Sequence, residues 1–595
     1  MKDNKNSANF SQNIDIPQWD LTDFYDGIDD KKLDQDFIEI SKASDEFATE
    51  YNKKIAKLSA NPLFEAIKKY EEISEKIGKI ASFSYLIYAS DTSNAKNLAF
   101  FQNSSEKLSE IQSKLLFFTL EINEIDENDL KSLLENENLS YFKPFIRDVR
   151  AFRKYQLSEE LEKFNLEKSI TGRNAFIRLF DETSNNLKFE YRDQTLSCQE
   201  IFNLMSSSDE DERKDAAKAI GKTLGDNSKL FAYITNILAK DKAINDSWRG
   251  FTKPISSRNL DNFIEDEIVD LLVKKVKQNY QNISHRYYEK KAQILGKKSL
   301  NYWDRNAPLS NEENSKISWP QAKDLVLSAY SEFSPQMAEI GKIFFDKNWI
   351  DAKVVKGKDN GAFSHPCVPS VHPYILMNYQ GKVRDVMTLA HELGHGVHQY
   401  LSASQGYLMA STPLTLSETA SVFGEQLTFQ KILKNEEDSE KKKLIIANKV
   451  EDMINTVVRQ IAFLEFERKI HDERKKGEIP LNKICEFWME IQKESLGPIF
   501  QYDEEYKYFW SYIPHFIHSP FYVYSYAFGD CLVNSLYGIY KSGKIDNFET
   551  KYIDMLKLGG TKHHKEMLQP FNLSIKDEAF WQSGLDVISG YIDKI

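Results

Sequence analysis

The sequence predicts a large, mainly α-helical protein. Apolar residues recur at helical spacing through the first 140 residues, for example at Leu63, Ile67, Ile73 and Ile77. The 595 residues contain 24 glycines and 16 prolines, and no long linker rich in Gly, Ser or Pro interrupts them. The parts of the chain are therefore expected to pack into one body.

Two charged amphipathic stretches, residues 159–168 and 209–218, predict solvent-exposed helices. Three serines before Asp209 are typical of a loop followed by a helix start. This pattern predicts a boundary between an N-terminal helical unit, up to residue 206, and a second unit over residues 207–595. Residues 1–18 are expected to form a flexible N-terminal segment.

The stretch 357–382 differs from the helical sequence around it. Glycines and prolines interrupt a short apolar run, residues 374–379, whose composition is typical of a β-strand. The sequence therefore predicts a small β element just before the next helix.

Residues 391–395, HELGH, form the most informative motif. His391 and His395 are four positions apart, so both rings leave one face of a helix and can bind one ion. Neutral imidazole is a strong zinc ligand, and Glu392, at the edge of that face, can take a proton from water. The motif predicts a zinc site, although three fixed positions could also arise by chance in a chain of 595 residues.

The surroundings of the motif favour the metal site. The neighbouring residues are mostly apolar, so the helix is expected to be largely buried, where charged side chains are costly unless bonded or metal-bound. Gly394 and Gly396 each weaken a helix by roughly 1 kcal/mol relative to alanine. They suggest that another backbone or a ligand approaches closely there.

A third ligand must come from elsewhere in the chain. His398 is about 10 Å along the helix from His391, too far for both to reach one ion, so a packing or supporting role is expected. Residues 412–425 predict a turn and then an apolar helix with Ser417 as N-cap. Glu418, in the first turn, is a plausible ligand, or it could merely complement the helix dipole. Glu425 could accept the free N–H of a ligand histidine.

Tyrosines and histidines are concentrated at residues 512–527. Phenol and imidazole groups can stabilise a developing oxyanion. If Ser519 and Pro520 cap a helix, Tyr522 and Tyr526 share a face and Tyr524 points away. An aromatic stripe is ordinarily part of a core, so the spacing alone leaves the role of these residues open.

The segment from His391 to Glu425 resembles the oligoendopeptidase F branch of the thimet-oligopeptidase family of zinc metallopeptidases, in HELGH and in the later run ETASVFGE. Residues 19–25, 157–162 and 361–379 are also similar to that branch. The resemblance implies a mainly α, zincin-type metallopeptidase with a deep cleft or channel. It also implies an N-terminal helical domain over residues 19–206 and a zinc catalytic domain over residues 207–595.

The resemblance implies a set of site residues. One zinc ion per chain is expected on His391, His395 and Glu418, with Glu392 as general base and Glu425 supporting a ligand histidine. The family places a histidine and two tyrosines over the zinc. Its tyrosine spacing is not reproduced cleanly here, so the candidates for this role are His515, Tyr522 and Tyr526, with His518 and Tyr524 as alternates.

The predicted strand at residues 374–379 could bind substrate. An exposed strand edge can hold an extended peptide by main-chain hydrogen bonds, as the equivalent segment of the family does, or the strand could belong to an ordinary core hairpin. The candidate substrate-binding residues are Gly361, Tyr374, Leu376 and Asn378.

The expected function is zinc-dependent endopeptidase activity on short unfolded oligopeptides. An exopeptidase with the same zinc site is one rival, but it needs a charged anchor for a peptide terminus, and no clear anchor is visible. A non-catalytic zinc protein that binds peptides is the other rival, and the presence of Glu392 argues against it.

The composition is consistent with an intracellular enzyme. The net charge of −12 argues against nucleic acid or an anionic membrane as partner. The first residues lack the apolar stretch of a signal peptide, and no apolar run approaches the length of a membrane span. Four widely spaced cysteines fit a reducing compartment, so a cytoplasmic location is expected. The sequence does not indicate the oligomeric state.

Overall fold

The computed structural model of the chain describes residues 16–309 and 316–595. The structure is 71% helical, which confirms the mainly α prediction. Of the expected flexible segment, residues 1–15 lie outside the described residues. Pro17, near its end, accepts backbone hydrogen bonds from Ala352 and Lys353, so the chain is already attached to the second unit at that point.

The N-terminal unit consists of helices and, before the last of them, one hairpin of two short antiparallel strands, β1 Phe189–Tyr191 and β2 Gln194–Leu196. In chain order the helices are α1 Lys31–Tyr51, α2 Ala60–Ser90, α3 Ala95–Ser113, α4 Leu116–Glu124, α5 Glu127–Leu133, α6 Glu137–Ser140, α7 Lys143–Ala151, α8 Glu159–Ser169, α9 Arg173–Asn186 and α10 Cys198–Leu204.

The two patterns predicted in this unit are confirmed. Leu63, Ile67, Ile73 and Ile77 lie buried along α2, as their helical spacing requires. No residue of α8 is buried, in agreement with the exposed helix predicted over residues 159–168.

The second unit begins with the longest helix, which starts where the serine-rich loop predicts. The Asp209 carboxylate is the N-cap and accepts hydrogen bonds from the N–H groups of Asp211 and Glu212. The division of the chain at this point into two domains stays a prediction. In chain order the helices are α11 Glu210–Arg249, α12 Ser256–Asp261, α13 Asp266–Gln278, α14 Arg286–Ile294, α15 Trp319–Phe333, α16 Pro335–Asp346, α17 Val383–Ser402, α18 Leu414–Asn435, α19 Ser439–Thr456, α20 Val458–Arg474, α21 Leu481–Leu496, α22 His515–His518, α23 Tyr524–Ser542, α24 Phe548–Lys557, α25 His564–Leu568 and α26 Glu578–Ile592.

Short helical turns of other types connect these elements. A π-helical turn spans Gln281–His285, and 3₁₀ segments span Ile55–Lys57, Arg153–Tyr155, Tyr302–Asp304, Ala403–Gln405, Glu504–Tyr512, Gly559–Thr561 and Gln569–Phe571.

The predicted β element lies beside α17. Strands β4 Ile350–Asp351, β5 Phe363–His365 and β6 Tyr374–Leu376 form a three-stranded sheet in the order β4-β6-β5. Strand β6 pairs in parallel with β4 and antiparallel with β5. A separate parallel pair joins β3 Leu300–Asn301 to β7 Phe500–Gln501.

The core of the second unit is centred on α18. This helix packs against α15, α17 and α23, and twelve of its residues are buried. A helix buried on so many sides carries apolar residues all round rather than on one stripe, so its partners cannot be read from its periodicity. Among the helices of residues 16–309 and 316–595, none is both long and apolar enough to span a membrane.

Candidate metal centre and active site

Helix α17 presents both histidines of HELGH on one face. The His391 and His395 rings are 4.9 Å apart, and the side chains are 27% and 17% exposed. Most other residues of the helix around the motif are buried. The two imidazoles are therefore held by a packed helix and still reach solvent.

The expected close approach at Gly394 is confirmed, and its partner is the backbone of α18. A Cβ atom at Gly394 would lie 2.5 Å from the carbonyl oxygen of Ala420 and 2.6 Å from the Cα atom of Ser421. Only glycine lets α17 and α18 pack this closely. On the other side of α18, a Cβ at Gly529 of α23 would lie 2.7 Å from the Cβ of Glu418. Two close helix contacts thus fix Glu418 beside the histidines.

The predicted N-cap of α18 is wrong. The helix begins at Leu414 after Pro413, and the Ser417 hydroxyl donates to the Leu414 carbonyl from inside the first turn. A serine hydroxyl can bond to the backbone of its own helix as well as cap one, so Ser417 does not mark the start. Glu418 consequently lies beyond the first turn, where a helix dipole acts weakly, and the dipole interpretation of Glu418 loses its basis.

His391, His395 and Glu418, which we call the metal triad, converge on one point. Glu418 Oε2 lies 3.4 Å from His391 Nε2 and 3.5 Å from His395 Nε2, and the three ligand atoms lie within 4.8 Å of one another. Bonds of 2.0–2.1 Å at tetrahedral angles separate two zinc ligands by about 3.3–3.4 Å. The donor set and its spacing therefore fit a zinc ion with one position left open.

The electrostatics of the triad also favour a cation. Burial alone would lower the pKa of His391, but the Glu425, Glu418 and Glu392 carboxylates raise it to about 9. Burial would raise the pKa of Glu418, but the two histidines and the Ser421 hydroxyl lower it to about 2. The surroundings thus keep Glu418 ionised and attract positive charge to this point.

Glu425 connects the triad to a buried lysine. His391 Nδ1 donates to Glu425 Oε2 at 3.2 Å, and Lys449 Nζ donates to Glu425 Oε1. Burial would raise the pKa of Glu425, but Lys449 and His391 lower it to about 2. Through this hydrogen bond Glu425 orients the His391 ring so that Nε2 faces the other two members of the triad. Lys449, on α19, carries no sequence signal of this role.

Glu392 lies beside the triad and is 7% exposed. Burial raises the pKa of its carboxyl group, and the two histidines and the Ser364 N–H partly oppose that rise. A carboxylate with a raised pKa is a better proton acceptor than a free one near neutral pH. His398 lies outside the triad and is buried, which lowers its pKa to about 4, consistent with the packing role expected for it.

The three favoured residues of the C-terminal segment form one cluster. His515 Nε2 lies 3.3 Å from the Tyr526 hydroxyl, and the Tyr522 ring lies 5.3 Å from the Tyr526 ring. Burial raises the pKa of both phenols, so both stay protonated and can donate. The alternates point elsewhere, because the Tyr524 hydroxyl accepts from Asn262 and His518 Nε2 binds Asp181 at 2.7 Å.

Tyr522 reaches this cluster by a route different from the expected helix face. Helix α23 begins at Tyr524, so the cap predicted at Ser519 and Pro520 is wrong, and Tyr522 lies in the turn before the helix. The turn is made by Phe521, whose φ of +61° is strained for a bulky residue. The Phe521 N–H donates to Glu467 Oε1 at 2.7 Å, and burial raises the pKa of Glu467 to about 8. A long-range contact thus sets the position of Tyr522.

The predicted exposed edge at residues 374–379 is wrong. Strand β6 is the central strand and is fully buried, because its apolar residues fill the space between β4 and β5. The Tyr374 hydroxyl donates to the Asp20 carbonyl, and Leu376 lies in the core. Asn378 donates to the Asp359 carbonyl and so holds the loop before β5. Tyr374, Leu376 and Asn378 are therefore structural.

Strand β5, next to exposed Gly361, is one of the two edge strands of the sheet, and β4 is the other. The Ile375 N–H donates to the carbonyl of Trp349, just before β4, so the backbone groups of Ile375 point toward β4. Ser364 lies opposite Ile375 on β5 and therefore directs its own N–H and C=O away from β6. The Ser364 carbonyl accepts a hydrogen bond from the Gln399 side chain of α17 at 3.1 Å. The Ser364 N–H lies near the Glu392 carboxylate and lowers its pKa. This edge of the sheet thus faces the helix that carries HELGH and contacts it through Ser364.

A cavity of about 140 Å³ adjoins the triad between α18, α19 and α23. Its lining includes His391, Glu418 and Tyr526, together with two acidic residues that sequence reasoning missed, Asp452 and Asp530. Burial raises the pKa of Asp530 to about 7, and desolvation of the carboxylate within the cavity raises that of Asp452 to about 6 although the residue as a whole is exposed. Neither residue belongs to a motif, so the sequence gives no sign of their proximity to HELGH.

Two models of known protein families match the chain. A family model described as peptidase family M3 matches residues 203–587, more than half of the chain, and a model described as oligopeptidase F matches residues 121–189.

Individual relatives cover nearly the whole chain. Oligopeptidase PepF of Bacillus subtilis is 29% identical over 88% of this chain and 78% of its own length. An oligoendopeptidase F homolog of Borreliella burgdorferi is 28% identical over 92% of this chain and 94% of its own. Among solved structures, a peptidase of Chlamydophila abortus has a TM-score of 0.82 at 23% identity, covering 97% of both chains. The oligoendopeptidase-F of Enterococcus faecium has a TM-score of 0.73 at 20% identity, covering 95% of this chain and 98% of its own.

Proposed function

The chain belongs to peptidase family M3 and is a metallo-oligopeptidase, and we propose that it cleaves internal bonds of short unfolded peptides with one zinc ion per chain. His391, His395 and Glu418 are the proposed zinc ligands. The observation that carries this proposal is the convergence of two imidazole nitrogens and one carboxylate oxygen at tetrahedral spacing.

Glu392 is the proposed general base and acid. A zinc ion bound to the triad supplies Lewis-acid chemistry, polarising a carbonyl and making water acidic enough to lose a proton near neutral pH. Glu392 accepts the proton of the attacking water and then delivers it to the leaving amine. Its raised pKa, caused by burial, suits both transfers.

His515, Tyr522 and Tyr526 are the proposed donors to the oxyanion. Attack on an amide carbonyl produces a tetrahedral oxyanion, and a well-placed donor contributes about 10²–10³ in rate. The two tyrosines are neutral phenols, and Glu418 contributes to the raised pKa of each, which supports their proximity to the triad.

The proposed binding edge for the peptide backbone is β5. The outward N–H of Ser364 adjoins Glu392, and its outward carbonyl is bonded to Gln399, so a peptide strand added there would replace the Gln399 contact and place a peptide bond near the proton acceptor. Gly361, just before β5, stays a candidate for contact with substrate.

Digestion of a mixed peptide library tests the proposal. Cleavage sites are mapped by mass spectrometry with and without a zinc chelator. We expect internal cuts that disappear with chelator and return when zinc is added back. Cuts confined to one terminus would instead favour an exopeptidase, and binding without cleavage would favour the non-catalytic peptide-binding protein.

We expect Glu425→Ala to weaken zinc affinity by about 10–100-fold, because His391 loses the acceptor that orients it. Lys449→Met should also weaken zinc affinity, since it removes the positive charge that is paired with Glu425. Zinc affinity is measured by competition with a chromophoric chelator. Glu437→Ala, an exposed change just after the same helix, is the matched control. Unchanged affinity in Glu425→Ala would contradict the supporting role.

We expect peptides of roughly five to twenty residues to be the best substrates, since backbone pairing along β5 needs several residues in extended form. N-acetylation should leave kcat/KM nearly unchanged because no terminus is recognised. The measurement compares one cut-site sequence as a free peptide, as an acetylated peptide and as a loop in a stably folded protein. Equal rates for the folded protein and the free peptide would refute an enclosed site.

A further inference from the structure

The cavity beside the metal triad has the size of a side-chain pocket. Its volume of about 140 Å³ is several times the roughly 10–15 Å³ that one water molecule needs. Its lining joins His391 and Glu418 of the triad to Val422, Met453 and Thr456 and to two carboxylates, Asp452 and Asp530. We call this cavity the acidic pocket. Because it shares walls with the triad, a substrate side chain that entered it would come from a residue close to the cleaved bond.

Four carboxylates line the acidic pocket, those of Glu418, Glu425, Asp452 and Asp530, against one lysine, and a zinc ion on the triad would still leave an excess of one negative charge. Lys449 also lines it, but its ammonium group donates to Glu425. Asp530 is 4% exposed, and its Oδ1 accepts a hydrogen bond from Asn534. Within residues 16–309 and 316–595, Oδ2 of Asp530 has no hydrogen-bond partner. A nearly buried carboxylate oxygen that lines a cavity without a partner needs a donor from outside the chain.

Asp452 is the second free carboxylate. In the described part of the chain its side chain makes no hydrogen bond or ion pair, and its residue surface is exposed. The charge of Arg384 lowers the pKa of Asp452, but Arg384 is exposed and is not part of the cavity lining. The difference in exposure places Asp530 deep in the acidic pocket and Asp452 nearer to solvent.

The remaining walls suit a long aliphatic stem. Val422 and Met453 add apolar surface to the same lining, and the Thr456 hydroxyl is already bonded to the Asp452 backbone carbonyl. Lysine and arginine side chains combine apolar methylenes with a cationic head, and they bury the stem while the head keeps its polar partners. An uncharged aliphatic side chain would leave Asp530 unpaired, and an acidic side chain would be repelled.

We propose that the acidic pocket receives a lysine or arginine side chain from the substrate residue that flanks the cleaved bond, with Asp452 and Asp530 as the specificity-determining residues. This inference rests on the proposed function and names the peptide class that the same site prefers.

Two peptides that differ at one position test the inference. The first carries lysine at the residue flanking the bond that library mapping identifies, and the second carries norleucine, which has a similar stem without the charge. We expect kcat/KM for the lysine peptide to exceed that for the norleucine peptide by at least about tenfold, because only lysine satisfies the pocket carboxylates. In Asp452→Asn and in Asp530→Asn this ratio should fall severalfold, and it should fall furthest in the double variant.

Glu440→Gln is the matched control, since it removes a carboxylate from an exposed position about 18 Å along α19 from Asp452. Its lysine-to-norleucine ratio should equal that of the wild type. Asp452 is exposed, so Asp452→Asn keeps the test decisive if Asp530→Asn fails to fold. Equal cleavage of the two peptides by the wild type, or an unchanged ratio in Asp452→Asn, would overturn the pocket while leaving the peptidase function intact. Loss of all cleavage by the wild type would overturn both.

Discussion

We expect Glu392→Gln to lower kcat by about 10²–10⁴ and to leave zinc near one equivalent per chain, because the change removes proton transfer without removing a ligand. Glutamine has nearly the same shape, so α17 and the triad keep their packing. The amide can still accept a hydrogen bond from water but cannot take its proton. The measurement combines steady-state peptide hydrolysis with metal analysis of the purified protein.

The comparison of activity with metal content makes this result specific. A variant that lost both would point to a disturbed triad rather than to a missing base. Glu392→Asp keeps a carboxylate but draws it back by one methylene, so its activity should lie between those of Glu392→Gln and the wild type. Near-full activity of Glu392→Gln would sink the assignment of Glu392 as general base.

Glu418→Ala is expected to lose zinc during dialysis that leaves the wild type loaded, and with it nearly all peptidase activity. Two imidazoles alone do not complete the three-ligand set of a catalytic zinc site. The loss of affinity should exceed the 10–100-fold expected for Glu425→Ala, because Glu418 supplies a ligand atom and Glu425 only orients one. Zinc affinity is again measured by chelator competition.

Two controls separate ligand loss from misfolding. Glu437→Ala, exposed beyond the end of α18, should bind zinc as the wild type does. The helical circular dichroism of Glu418→Ala should match that of the wild type, since alanine keeps the Cβ atom that packs against Gly529 and adds no bulk. Equal zinc affinity of Glu418→Ala and the wild type would show that the third ligand lies elsewhere.

The helical class was predictable because it depends on local periodicity. The buried face of α2 and the start of α11 after Asp209 follow from side chains within a few residues of one another. Helix caps were less predictable. Ser417 and Ser519 are of a residue type that is common at N-caps, but neither is the N-cap of the helix predicted to follow it. A hydroxyl can bond within its own helix or start a new one, and the choice depends on neighbours distant in sequence.

The prediction of an exposed strand edge was wrong for a similar reason. The run at residues 374–379 has the composition of a strand, and composition alone does not say which neighbours a strand has. Pairing with β4 on one side and β5 on the other buried it, so Phe363–His365 is an edge strand and residues 374–376 are not. Strand order is a property of tertiary contacts between segments remote in sequence.

The sequence by itself determined the parts of the site that one helix can hold. The spacing of His391, Glu392 and His395 on α17 follows from 3.6 residues per turn, whatever surrounds the helix. Tertiary structure decided which residues of other helices lie beside these three. Close packing at Gly394 and Gly529 fixes Glu418 beside the histidines, and α19 and α23 supply the buried and acidic groups Lys449, Asp452 and Asp530. Those residues carry no periodicity or motif, because the only constraint on them is where separate helices come together in space.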